Sequence, residues 1–209
     1  CAQCPLGGRL DICLYVDDQW AIDDAGALCD ADMAILNEKF KFTLVEDPKL
    51  FLNMNIHVAS QHRVTFSMEK YILDMADQCV PDWRSWPQQE TPGNNKLQEH
   101  YELAHARAVP ITAALVKRFR NKVGKLIYAV PCRGDAAYVV SRLSRAQTFP
   151  SVELERDADQ AIVHLAQTAS MGITFDGSKE NASLLWAESD SDWAVGHSIT
   201  GMVVYHGGA

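Results

Sequence analysis

The stretch LDICLYVDDQWAIDD, Leu10 to Asp24, sets two adjacent carboxylates in the middle of a β-prone apolar run. Its first half alternates, with Ile12, Leu14 and Val16 on one side and Cys13, Tyr15 and Asp17 on the other. After the acidic pair, Gln-Trp-Ala-Ile resumes an extended pattern, so the stretch predicts a hairpin with Asp17 and Asp18 at its turn. Neighbouring Asp residues disfavour a strand through poor propensity and mutual repulsion. They are accommodated at an exposed, solvated turn, or where cations neutralise them, and the two cases imply different proteins.

Outward from the hairpin, Asp23 and Asp24 are placed to cap a helix over residues 25–40, whose apolar positions Leu28, Ala31, Ile35, Leu36 and Phe40 share a face. Strands are expected in FTLVE, KLFLNMNIHVA and RVTFSM, and then a helix through EKYILDMADQC capped by Ser67. That order predicts an α+β domain with helices against a mostly antiparallel sheet. From Val80 to Pro110 the texture changes: PDWRSWPQQETPGNNKLQEH holds three of the chain's eight prolines with Gly, Asn and Gln, and reads as a connecting loop. Helical patterning returns in TAALVKRFRNKVGKLIYAV, DAAYVVSRLSRAQ and SVELERDADQAIVHLAQTA, interrupted at Pro131–Gly134 and Phe149–Pro150. The last forty residues turn strand-like in GITFDG, SLLWAESDSDWA and TGMVVYHGGA.

The 209 residues, 47% hydrophobic, suffice for a core in one or two domains. A net charge of −8 argues against a self-sufficient nucleic-acid binder. Charge is nevertheless concentrated, since Val116–Lys125 carries five basic residues and no acid. Six cysteines lack a second CxxC or a paired His at zinc-site distance, which predicts reduced thiols in an intracellular protein. No apolar run approaches the roughly 20 residues of a membrane span, and no membrane partner is expected. The first strand begins almost at once and the chain does not start with Met, so a fragment of a longer protein is expected.

Two-metal nucleotidyl transfer needs clustered carboxylates held rigidly, because Mg²⁺ prefers oxygen ligands and must bridge the attacking hydroxyl and the phosphates. Tyr15-Val16-Asp17-Asp18 within an alternating strand resembles the catalytic hairpin of reverse transcriptases. The remainder matches in order. LFLNMNI resembles the FLGIEI-type palm strand of copia-type retrotransposon polymerases, VTFSMEKYILDMAD the strand and helix after it, and QQETPGN the Thr-Pro linker. RNKVGKLIYAVPCRGDAAYVVSRLSRAQTFP is similar to YRSxVGxLxYLxxTRPDIxYAVxxLSRFxxxP, and AESDSDWAVGHSITGMVVYHGGA to the opening of that family's RNase H domain. Two departures stand out: Cys132-Arg133-Gly134-Asp135 replaces Thr-Arg-Pro-Asp, and the stretch after Asp192-Trp193-Ala194 is shortened.

The resemblance implies an antiparallel palm-type sheet with helices, then a helical connection and the first strands of an RNase H-like domain. Residues 1–80 would be the C-terminal part of the palm, 81–110 a linker, 111–170 the thumb or connection, and 171–209 the start of RNase H. It makes Asp17 and Asp18 palm metal ligands, Asp17 the better candidate, with Tyr15 and Val16 near a primer terminus. Asp190 matches the first RNase H metal ligand, with Asp192 and Glu188 nearby. The implied cofactor is Mg²⁺ or Mn²⁺. The implied partners are an RNA template, a DNA primer, dNTP and the rest of the Pol polyprotein, in a cytoplasmic particle or the nucleus. Lys117, Arg118 and Arg120, with Lys122 and Lys125, are candidates to track a primer–template backbone, or a solvated helix face.

Since a third palm acid and most RNase H acids would lie outside 1–209, the isolated chain is expected to be inert. The rival expectation is a degenerate or co-opted remnant acting as a nucleic-acid-binding or structural protein. Seven histidines show no ligand spacing; Trp83, Trp86, Trp186 and Trp193 read as packing residues. Arg133-Gly134-Asp135 spells an adhesion tripeptide by coincidence, and Asn181-Ala182-Ser183 fits a glycosylation acceptor usable only in a secreted chain.

Overall fold

Strand β1 (Leu10–Tyr15) runs antiparallel to β2 (Asp18–Asp23) with Tyr15 opposite Asp18, so only positions 16 and 17 connect them. A computed structural model describes residues 10–16, 18–23, 34–35, 37–39, 43, 45–106, 111–178, 185–191 and 200–206. Two-residue hairpin connections favour positive φ, because the primed turns match strand twist. Val16 accordingly sits at φ 54°. A β-branched residue pays sterically for that conformation, so the turn holds local strain. Asp18 is therefore the first residue of β2 rather than a turn residue, and Asp17 lies outside the described residues.

The chain divides into two units, residues 1–51 and 52–209. In the first, Trp20 packs its ring 5.4 Å from that of Phe51. Of the helix expected over 25–40, positions 34–35 and 37–39 are helical and the others, Asp24 included, lie outside the described residues. The strand expected in FTLVE does not form at its described positions Thr43, Val45 and Glu46. Asp47 turns the chain at φ 50° ahead of Pro48, and strand β3 is only Leu50–Phe51. KLFLNMNIHVA was expected as one strand; Leu52 and Asn53 break it with φ of 49° and 59°.

In the second unit β4 (Met54–Ser60), β5 (Arg63–Ser67) and β6 (Gly172–Asp176) form an antiparallel sheet in that order. Ile56, Phe66 and Ile173 share one face through the registers Ile56↔Phe66 and Phe66↔Ile173. Gly172 lies so close to β5 that a Cβ there would stand 2.1 Å from the Phe66 carbonyl oxygen. The GITFDG strand, expected to open the RNase H part, thus pairs with a strand assigned to the palm part. Sequence order separates them by a hundred residues, and only pairing across the sheet joins them.

Among the described residues, five α-helices follow the sheet's first two strands: α1 (Glu69–Cys79), α2 (Leu97–Ala106), α3 (Ala113–Ala129), α4 (Ala137–Arg145) and α5 (Val152–Gln167). Ser67 does not cap α1; Met68 occupies that position without a side-chain bond, and Ser67 belongs to β5. Thr112 Oγ1 and Ser151 Oγ accept from Leu115 N and Leu154 N, closing the first turns of α3 and α5. Helix α5 is buried over most of its length, polar residues Glu155, Asp157 and His164 included, and contacts the other four helices, so it forms the centre of the core. Ala158, Ala161, Ile162 and Leu165 of α5, Phe119 and Leu126 of α3, and Leu143 of α4 are wholly buried.

Of the expected linker over 81–110, the described residues 81–106 pack residues into this core, and 107–110 lie outside the described residues. Trp83 is buried in a 3₁₀ turn, Trp83–Ser85, and α2 buries Leu97 and Ala104 against the cluster. Pro81, Pro87, Pro92 and Gly93 lie in the irregular segment of turns and bends that precedes this packed helix. A separate antiparallel hairpin, β7 (Trp186–Ser191) with β8 (Thr200–Tyr205), places Asp190 opposite Gly201. The protein is thus mixed α and β with antiparallel sheets.

Candidate nucleic-acid and metal-binding sites

The hairpin of β1 and β2 presents the acidic motif. Cross-strand partners share a face, so Tyr15 and Asp18 lie side by side, with Cys13 and Trp20 the next pair. Tyr15, Val16 and Asp18 are exposed, Val16 to 83%. Asp18 offers one carboxylate beside a tight turn, a suitable oxygen donor for a hard divalent cation. Among the described residues, however, no three His, Cys, Asp or Glu side chains gather as a metal site. The described residues therefore do not by themselves fit a complete Mg²⁺ or Mn²⁺ centre.

On β7, Trp186, Glu188 and Asp190 alternate onto one face with Tyr205, Val203 and Gly201 of β8. Asp190 Oδ1 accepts from Ser191 N at 3.0 Å. Two exposed carboxylates, Glu188 and Asp190, stand on this face, while Asp192 and Trp193 lie outside the described residues. Trp186 stacks on Tyr205, with centroids 4.1 Å apart and planes within 11°. It packs as expected, across the hairpin.

The basic helix α3 has divided its charges between two roles. Arg118 grips Glu155 through Nε and Nη2, both at 2.9 Å. Lys122, buried, reaches Glu155 Oε1 at 3.2 Å and forms an ion pair with Asp159 Oδ1 at 2.5 Å. The Arg118 bonds, against the effect of burial, hold the Glu155 carboxyl below its ordinary range. Burial pushes the Asp159 carboxyl up despite Lys122 beside it. Lys125 Nζ donates to Gln78 Oε1. Arg120 donates Nε to Gln147 O at 3.0 Å, and Lys117 is exposed with no ion pair among the described residues. A groove of about 980 Å³ runs beside α3, bordered by Gln78, Cys79, Lys117, Arg118, Asn121 and Glu155. Of the three residues expected to track a backbone, Arg118 is therefore committed to Glu155; Lys117 and Arg120 are not paired with acids.

A polar centre not expected from sequence surrounds Arg133. Its side chain is 1% exposed and bonds Asp135 twice, Nε at 2.9 Å and Nη2 at 2.7 Å. Nη1 donates to Leu165 O and Thr168 O, and Nη2 to Thr168 Oγ1. His164 lies between Asp135 Oδ2, at 3.2 Å, and the Gln89 carbonyl, at 2.9 Å. Burial pushes the Asp135 carboxyl up, but the Arg133 and His164 contacts more than offset this and leave it below its ordinary range. His100 Nδ1 lies 2.8 Å from Asp157 Oδ2, and Asn94 Nδ2 donates to Asp157 Oδ1. Together these bonds tie residues 86–94 to α5. The only local signal was the Arg-x-Asp spacing, and the burial of Arg133 removes any adhesive reading of that tripeptide.

Over 206 residues the chain is 25% identical to a transposon Ty5-1 protein of Saccharomyces cerevisiae. The match takes in 97% of this chain and 64% of that protein, so the chain spans less than two thirds of its relative. No family model matches, and no solved structure matches. The similarity supports a retrotransposon-derived protein. No helix among the described residues is long and apolar enough to cross a membrane.

Proposed function

We propose that this chain is a portion of a copia-type retrotransposon Pol polyprotein: the later palm, the thumb or connection helices, and the opening strands of RNase H. The observation that carries the reading is Tyr15-Val16-Asp17-Asp18 at a two-residue hairpin connection, within a chain similar to a retrotransposon protein. In the parent, RNA-directed DNA polymerisation would join a primer 3′-oxygen to the α-phosphate of a dNTP with release of pyrophosphate. RNase H would hydrolyse the RNA strand of the hybrid with water. Asp17, Asp18 and Asp190 are the acids assigned to these reactions. Mg²⁺ or Mn²⁺, as the parent's cofactor, would supply the charge that neutralises phosphate during transfer. The tight turn would hold Asp18 rigid beside Tyr15, and the exposed tip would admit a primer end. By itself the chain is proposed to be inert, because the carboxylates assigned to it are too few for either reaction.

Metal-dependent primer extension by the parent polyprotein tests this. Asp17→Asn or Asp18→Asn should cut extension at least a hundredfold, and the 209-residue chain should extend nothing. Unchanged extension by the double variant, or extension by the chain alone, would overturn the reading.

A second reading is a degenerate or co-opted retroelement remnant acting as a non-catalytic nucleic-acid-binding or structural protein. Net charge of −8 and the internal pairing of Arg118 and Lys122 favour it. It predicts no polymerase activity in the parent.

A further inference from the structure

We infer that residues 87–96 form a strap that opens and closes on α5 with pH, fastened when the His164 ring carries both of its protons and loosened when it loses one. The device is the same under either reading of the function.

The strap is held mainly by hydrogen bonds. None of residues 87–96 is buried, while Trp83 before it and Leu97 after it belong to the core. Its bonds to α5 fall on one stripe, Asp157, Gln160, His164 and Gln167, spaced at i, i+3, i+7 and i+10. Gln167 Oε1 accepts from Gln89 N at 2.8 Å, and Gln167 Nε2 donates to Pro87 O at 3.2 Å. At the far end Asn94 Nδ2 donates to Asp157 Oδ1. Gly93 lies close on α4, where a Cβ would stand 2.6 Å from Val139 Cγ2. A surface segment held by polar bonds opens at lower cost than the core beneath it.

His164 is the fastening that a proton controls. Its side chain is 8% exposed; Nδ1 lies 2.9 Å from Gln89 O, and Nε2 lies 3.2 Å from Asp135 Oδ2. A carbonyl oxygen only accepts. The Asp135 carboxylate, which takes bonds from Arg133 on both oxygens, only accepts as well. Both contacts are hydrogen bonds only if both ring nitrogens carry hydrogen, which makes the ring an imidazolium. With a single proton the ring serves one acceptor, and the charged one binds it more strongly. The bare Nδ1 lone pair then faces the Gln89 carbonyl, and the strap loses its hold there. The closed strap thus keeps a proton that the open strap does not require, so closure is favoured at low pH and weakens as pH rises.

The other titratable groups around the strap do not share this role. Asp135, from the turn before α4, is backed by Arg133 and stays bonded in either state. On the α5 stripe Asp157 lies two turns from His164 and meets His100 Nδ1 of α2 at 2.8 Å. That contact needs one ring proton only, so it survives when His100 is neutral. Glu90 and Lys96, the charges of the strap itself, are exposed.

Hydrogen exchange of the full chain, read from about pH 5.5 to about pH 8.5 and corrected for the intrinsic rate at each pH, tests the strap. Opening of 87–96 should rise about fivefold or more across the range, the effect of one hydrogen bond, while α3 amides keep their protection. Ring nitrogen NMR signals of His164 should show both nitrogens protonated at the acid end, and the rise should follow their titration. His164→Gln should open the strap to the same extent at every pH, whereas His100→Gln should keep the rise. Gly93→Ala, wedged against Val139, should raise opening at both ends of the range and leave the pH step in place. If His164→Gln fails to fold, the ring signals and strap exchange of the unmodified chain still decide. A singly protonated ring at the acid end, strap exchange that ignores the titration, a rise shared equally by α3, or a rise that persists in His164→Gln would each overturn the strap.

Discussion

The carboxylate of Asp135 holds the guanidinium of Arg133, two residues before it, by two bonds of 2.9 and 2.7 Å, with Arg133 only 1% exposed. The pair sits where α4 begins and fastens the end of α5 through Leu165 and Thr168. Removing Arg133 would leave a part-buried carboxylate and two carbonyls without their donor. Arg133→Met should therefore cost about 3–5 kcal/mol in urea unfolding, the range for breaking a buried ion pair from one side. An unchanged midpoint would mean the network contributes little.

Acid should weaken the fold through two carboxylates. Asp135 and Glu155 both lie below their ordinary range in the folded chain, one held by Arg133 and His164 against burial, the other chiefly by Arg118. Groups depressed by folding stabilise above the unfolded carboxylate range of about 3.9–4.3, and that stability is lost as pH falls through the lower folded values. Asp159 has the opposite sign: burial raises it, so the stability it contributes is fully present below the unfolded carboxylate range and is lost as pH rises through its raised folded value. Melting curves from pH 3 to 7 should show a shallower acid loss for Glu155→Gln. Asp159→Asn should lose less stability than Glu155→Gln at pH 7, and the reverse order would contradict the assignment.

The two glycines Gly124 and Gly172 should respond oppositely to alanine. At Gly172 the new methyl would lie 2.1 Å from a backbone oxygen that cannot move aside without breaking the β5–β6 ladder. A loss of at least about 1–3 kcal/mol is expected, as for other overpacked sites. At Gly124 open space surrounds the position, and alanine should add about 0.5–1 kcal/mol through helix propensity. Thermal unfolding of the two variants side by side reads both signs at once.

Leu97 lies in the segment that composition marks as a linker, yet it is 3% exposed within the core cluster. Leu97→Ala should cost about 2–5 kcal/mol, the range for buried leucines. A true linker position would change stability by less than 0.5 kcal/mol. Chemical denaturation separates the two.

Local periodicity made much of the fold legible. The alternation of Ile12 and Leu14 with Cys13 and Tyr15, the 3.6-residue stripe through Phe119, Val123 and Leu126, and the serine before Val152 each specify an element from neighbours alone. The breaks were less visible. Leu52 and Asn53 adopt positive φ in a run that reads as one strand, and Val16 does so against its own steric preference. Asn53 is a turn-prone type, but Leu52 and Val16 are not, so the surrounding structure imposes the conformation on them. Of the candidate site, the acidic hairpin and the basic helix were apparent from sequence, whereas the division of labour within that helix was not. Arg118 and Lys122 look equivalent to Lys117 and Arg120 until Glu155 and Asp159 are brought beside them.

What the sequence determined by itself is therefore the set of elements and the chemistry each one carries: an acidic hairpin motif, a basic helix, a second acidic hairpin. What only the tertiary structure decided is which of those charges remain available and which strands share a sheet. Hydrogen bonding and hydrophobic periodicity act over a few residues and can be read along the chain. Ion pairs 33 and 37 residues apart, the pairing of β5 with β6, and the burial of Arg133 depend on approach in space, which no local pattern encodes.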